Sequence, residues 1–66
     1  MKYSEFVKKV RKDLNLTQKQ LADELEVSYA TINRWENSHV LPSKLAIKSF
    51  IDFCENNFID ITELEC

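Results

Sequence analysis

Apolar residues recur along this chain at helical rather than strand spacing. Phe6, Val7, Val10 and Leu14 lie at i, i+1, i+4 and i+8, and Lys8, Lys9 and Lys12 fall on the opposite side. Leu21, Ala22 and Leu25 make a second, shorter stripe, and Ile32 and Trp35 a third. Leu45, Ala46, Ser49, Phe50, Phe53 and Cys54 make a fourth, widened by Ile47 and Ile51. Period-2 alternation is absent over any useful length. Glycine, which builds most strand-connecting turns, is missing altogether. The pattern predicts an all-α domain.

Punctuation between the stripes agrees with them. Thr17 is followed three residues later by Gln20, the spacing of a capping box, in which each side chain satisfies the other residue's free backbone N–H. Ser28 is placed to cap the third helix, and Ser43, just after Pro42, the fourth. Asn56 and Asn57 read as stop signals, since asparagine tolerates the left-handed conformation that ends helices. There is no repeat, linker or low-complexity run. Residues 1–57 therefore read as one domain, and 58–66 as a tail carrying Phe58, Ile59, Ile61 and Leu64. The tail is either a short fifth helix capped by Thr62 or an extended arm.

The second and third stripes belong to short helices, Gln18–Leu25 and Ser28–Asn37, joined by a tight turn. Two helices cross closely only if a small residue sits at the contact, and Ala22 occupies that point. Leu21 and Leu25 frame it, Val27 plugs the turn, and Ile32 and Trp35 face back from the third helix. Tyr29, Ala30, Asn33 and Arg34 are left on the outward side. A helix held on one side and open on the other suits the major groove of DNA, which admits an α-helix.

The run from Leu16 to Asn37, with its Thr-Gln start, small alanine, five apolar positions and Trp-Glu-Asn end, resembles the helix-turn-helix of the phage-repressor (Cro/Xre-type) family. Arg11 upstream and Pro42-Ser43 downstream extend the likeness to roughly residues 5–55. The resemblance implies a lambda-repressor-like bundle of four to five helices whose third helix reads base edges. By position, Ser28, Tyr29, Ala30, Asn33 and Arg34 fall where the family reads bases, with Thr31 beside them. Gln18 resembles the glutamine that contacts a phosphate, at a helix N-terminus that is itself an anion site, with Thr17 next to it. Asn37, Ser38 and His39 fall where further phosphate contacts are made. Arg11 and Glu36 resemble a structural ion pair tying the first helix to the third.

Arginine to guanine is the commonest specific base contact, which favours that role for Arg34 over a phosphate contact. Tyr29 offers its ring to a thymine methyl or its hydroxyl to a phosphate. The likeness departs in two places. Glu26 stands in the turn where the family usually has glycine, and a non-glycine residue held left-handed costs on the order of 1 kcal/mol. Ser38 replaces a favoured glycine after Glu-Asn, which leaves Asn37 as a candidate for the left-handed position.

Charge qualifies this picture. The net charge is −2, yet residues 1–48 hold all nine lysines and arginines against six acids, whereas residues 49–66 hold five acids and no base. A basic front and an acidic tail suit a molecule that turns one face to an anion. Two cysteines, Cys54 in an apolar run and Cys66 at the end, argue against a disulfide and for a reducing cytoplasm. One histidine and two distant cysteines give no zinc spacing, so neither metal nor cofactor is expected. No apolar run reaches the roughly 18 residues that would span a bilayer, and no signal peptide is visible. No nucleophile–base or paired-carboxylate arrangement suggests an enzyme. The expected function is sequence-specific binding of double-stranded DNA as a transcriptional regulator, as a homodimer on its site. Two alternatives remain: a protein-interaction module of the same fold without DNA affinity, and the DNA-targeting N-terminal domain of a larger modification enzyme.

Overall fold

The computed structural model describes residues 2–37, 42–62 and 64. Among them the chain forms helices α1 (Tyr3–Asp13), α2 (Gln18–Leu25), α3 (Tyr29–Glu36) and α4 (Lys44–Asn56). There is no strand among the described residues, so the all-α reading holds. The predicted caps form. Thr17 Oγ1 accepts from the N–H of Gln20 at 3.1 Å while Gln20 Oε1 accepts from the N–H of Thr17 at 2.8 Å. Ser28 and Ser43 accept from the N–H groups of Thr31 and Ala46, each at 3.2 Å.

Each helix turns its apolar stripe inward. Phe6, Val7 and Val10 of α1, Leu21 and Ala22 of α2, Ile32 and Trp35 of α3, and Phe50 and Cys54 of α4 form the buried core. Tyr3, which no stripe included, joins it: its ring meets Trp35 edge-on at 6.0 Å and Phe50 at 5.5 Å. Phe6 meets Phe50 at 6.0 Å, so aromatic contacts tie α1 to both α3 and α4. The Tyr3 hydroxyl is buried without a hydrogen-bond partner among the described residues. That burial, and secondarily the nearby Cys54, pushes its ionisation well above the usual phenol range. Burial likewise pushes the Cys54 thiol up to about 11, which keeps it protonated and unreactive at neutral pH. The fourth stripe is narrower than its spacing implies, because Leu45 is 75% exposed and the inward run begins at Ala46.

Helices α1, α2 and α4 end the same way. A residue with positive φ follows each: Asn15 (58°), Glu26 (58°) and Phe58 (59°). The next N–H reaches back to a carbonyl five residues earlier, from Leu16 to Arg11 at 2.9 Å, Val27 to Ala22 at 2.9 Å, and Ile59 to Cys54 at 2.8 Å. These are Schellman ends, in which a left-handed residue lets the chain satisfy otherwise orphaned carbonyls. α4 does stop at Asn56 with Asn57 as its cap, but the left-handed position falls one residue later: Asn57 has φ −107°, and Phe58 has φ 59°. Nor does Asn37 take it, with φ −96°.

The described tail residues, 58–62 and 64, contain no fifth helix. Thr62 donates its N–H to Asp60 Oδ1 at 2.9 Å, a local turn instead of a helix cap, and this donation holds the Asp60 carboxyl below its ordinary range. Ile59, Ile61 and Leu64 pack against the core. No helix among the described residues is long and apolar enough to cross a membrane.

Candidate nucleic-acid interface

Helix α3 is held from one side only. Ile32, Trp35 and Glu36 are buried, whereas Tyr29, Ala30, Asn33 and Arg34 are exposed. The period of 3.6 residues puts the first set on the core and the second on solvent. The turn that orients α3 depends on Glu26 in the left-handed region and on Val27, whose N–H closes the end of α2 and whose side chain packs on the core. Glu26 thus does the geometric work of the expected glycine.

The sequence-predicted residues are not equally free. Ser28 spends its hydroxyl on the N–H and the hydroxyl of Thr31, the latter at 2.9 Å. Asn37 Nδ2 donates to both the backbone and side-chain oxygens of Asn33, at 2.8 and 2.9 Å. Asn33 therefore has its acceptor engaged and its own amide donors turned to no partner among the described residues. Tyr29 (55% exposed) and Arg34 extend freely, and Arg34 has no ion pair among the described residues. Ala30 presents only a methyl. Ser38 and His39 lie outside the described residues.

The two long side chains border different grooves. Tyr29 shares one with Arg11, Asn15, Thr17, Gln18 and Lys19, at the start of α2. Arg34 lines another with Thr31, Trp35, Pro42 and Ser43, toward the start of α4. The outward face of α3 thus runs between two helix N-termini, each an electropositive end. The Thr17 capping box leaves the backbone N–H groups of Gln18 and Lys19 without a partner among the described residues, donors of the kind that bind anions. Lys19 was not singled out from the sequence. It is exposed, its contact with Asp23 is a loose 3.9 Å, and only its place beside Gln18 in the folded chain marks it.

Behind this surface lies a three-helix polar junction. Arg11 grips Glu36 with two hydrogen bonds, Nε to Oε2 at 2.8 Å and Nη2 to Oε1 at 3.1 Å, and its Nη1 donates to the Leu16 carbonyl at 3.2 Å. Gln18 Nε2 donates to the same Glu36 Oε1 at 3.1 Å. Glu36 is only 4% exposed, so an unpaired carboxylate there would be costly; here it accepts three donors. Sequence reasoning named the ion pair but missed Gln18 as its third member. Residues so far apart in the chain meet only once the helices have packed.

A family model described as helix-turn-helix matches residues 7–56. The chain is 44% identical over 52 residues to the type II methyltransferase M1.ScrFI of Lactococcus lactis subsp. cremoris, a match covering 74% of this chain and 13% of that protein. It is 34% identical over 62 residues to the HTH-type transcriptional activator BcrR of Enterococcus faecalis, covering 94% of this chain and 28% of the activator. The chain thus spans a small part of the length of either relative. No solved structure matches.

Proposed function

The chain belongs to the helix-turn-helix family of the Cro/Xre type, and from that premise we propose that it binds double-stranded DNA sequence-specifically as a transcriptional regulator, with α3 in the major groove. The observation that carries this reading is the two-sidedness of α3: Ile32, Trp35 and Glu36 buried, Tyr29, Ala30, Asn33 and Arg34 exposed. Arg34 reads a guanine, Asn33 contributes its free amide donors, and Tyr29 contacts a thymine methyl or the adjoining backbone. Thr17, Gln18 and Asn37 anchor the phosphates, joined by Lys19. Ser28 has a lesser share, because its hydroxyl caps the helix. Two copies related by a two-fold axis would set their α3 helices about 34 Å apart, one turn of DNA. The setting is the cytoplasm, and the chain catalyses no reaction of its own.

A second reading has a specific observation behind it. The match to the methyltransferase covers 13% of that protein, which supports a chain of this kind serving as the DNA-targeting segment of a modification enzyme. Both readings require duplex binding. Selection of bound duplexes from a random pool, followed by titration on the winner, tests it. Affinity should fall with salt at a log–log slope near −0.9 per phosphate neutralised. Arg34→Ala should lose about 1–3 kcal/mol on the selected site and relax preference at one base pair. An equal loss on every sequence would make Arg34 a phosphate contact. Absence of duplex binding at low salt would overturn the proposal and leave the interaction-module reading.

A further inference from the structure

The C-terminal end of α3 fixes the direction of a side chain on its exposed face. Asn37 Nδ2 donates one hydrogen to the backbone carbonyl of Asn33 at 2.8 Å and the other to Asn33 Oδ1 at 2.9 Å. The oxygen and nitrogen of a side-chain amide fill the same space when exchanged, so their partners decide which way the group faces. A backbone carbonyl only accepts, which obliges Asn37 to meet it with Nδ2. The second hydrogen on Nδ2 then obliges Asn33 to answer with Oδ1.

The same arrangement recurs at the end of α4. Asn57 holds the equivalent cap position, with φ −107° against −96° for Asn37, and its Nδ2 donates to the carbonyl four residues back, that of Phe53, at 2.8 Å. Capping that carbonyl is thus what asparagine does at this backbone geometry in this chain. In α4 the residue four back is a phenylalanine, which offers no side-chain oxygen. In α3 it is the exposed Asn33, whose amide takes up the spare hydrogen of the cap.

Asn33 Oδ1 is therefore held toward the helix end, and Nδ2, at the other corner of the planar amide, has no partner among the described residues. Asparagine ordinarily reads adenine with both atoms, Oδ1 accepting from N6 and Nδ2 donating to N7. Tying Oδ1 to Asn37 removes that pairing and leaves two hydrogens on Nδ2. The base that sets two acceptors side by side in the major groove is guanine, with N7 and O6. On the reading of α3 as the groove helix, we propose that Asn37 is a specificity-determining positioning residue: it orients the Asn33 amide so that Asn33 reads guanine and not adenine. A phosphate contact through the Asn37 side chain would compete with this role, since both Nδ2 hydrogens are engaged.

Two measurements test it. In the free chain, NMR should find the side-chain amide of Asn37 exchanging with water about threefold or more slowly than that of Asn33, as one modest hydrogen bond implies. On DNA, selection from a random pool with the full chain and with Asn33→Ala identifies the base pair whose preference depends on Asn33. Duplexes carrying each of the four pairs at that position are then compared by fluorescence anisotropy. The unaltered chain should favour guanine over adenine by about fivefold or more. Asn37→Ala should bring that ratio to within about twofold of unity or reverse it. Asn37→Ser, with one donor hydrogen in place of two, should do the same and serves if Asn37→Ala does not fold. Equal exchange at the two amides, a preference for adenine in the unaltered chain, or no base pair that depends on Asn33 would each overturn the proposal. So would an unchanged ratio in the Asn37 variants with weaker binding to all four duplexes, which would leave Asn37 a phosphate anchor. Failure of the unaltered chain to bind any duplex would instead overturn the reading of α3 as the groove helix, and this proposal with it.

Discussion

Asn15, Glu26 and Phe58 all carry positive φ in a chain without glycine, and they do so at different cost. Asparagine is the residue that best tolerates this region after glycine, since its short amide compensates locally. Glutamate and phenylalanine have no such relief, and Phe58 is 97% exposed, so its ring gains nothing from packing. Glu26→Gly and Phe58→Gly should therefore each stabilise the fold by roughly 0.5–1 kcal/mol, the gain reduced by glycine's larger unfolded-state entropy. Asn15→Gly should be close to neutral. Thermal unfolding checks the ordering. A lowered melting temperature for Phe58→Gly would mean that the ring makes a stabilising contact after all.

The helices depend on one another most at the junction of Arg11, Gln18 and Glu36. Removing one member of a buried pair strands the other, at about 3–5 kcal/mol, whereas replacing both with apolar groups is often neutral. A domain of this size has only a few kcal/mol of stability to lose. Arg11→Met should thus leave much of the chain unfolded, and adding Glu36→Leu should restore most of the loss. Urea denaturation measures both. No recovery in the double variant would show that the ion pair is needed as such, beyond relieving a stranded charge. The same junction marks what was legible before folding. Stripes such as Phe6–Val7–Val10 and caps such as Thr17–Gln20 are local patterns, readable because helix geometry fixes which neighbours meet. The left-handed Glu26 was legible too, as a turn requirement that the wrong residue type had to meet. Phe58 was not, since asparagines nearby offered a cheaper solution that the Ile59 N–H bond to the Cys54 carbonyl and the packing of Ile59 against the core overrode. Tyr3 in the core and Gln18 on Glu36 were equally hidden, because both depend on helix α3 arriving from a distant part of the chain.

Along the chain the charges fall into an earlier basic and a later acidic pole, although in the fold Lys9 lies near Asp60. All lysines and arginines precede residue 49, and Asp52, Glu55 and Asp60 lie exposed beyond it without a base among them. If α3 meets DNA, the acidic pole acts on the duplex only through its long-range field, which salt screens within about 10 Å at 0.1 M. Neutralising it with Asp52→Asn and Glu55→Gln, both at exposed positions of α4, should strengthen duplex binding by about two- to threefold at roughly 0.01 M salt. Near 0.15 M the difference should disappear. Fluorescence anisotropy at the two salt concentrations separates the cases. A gain that persisted at high salt would put these carboxylates within contact distance of phosphate, and the DNA would then have to lie across α4. That pose would leave Tyr29 and Arg34 off the bases, so Arg34→Ala would lose its sequence preference in the same experiment. The screened outcome instead keeps the duplex on α3, with the α4 carboxylates beyond contact distance of phosphate.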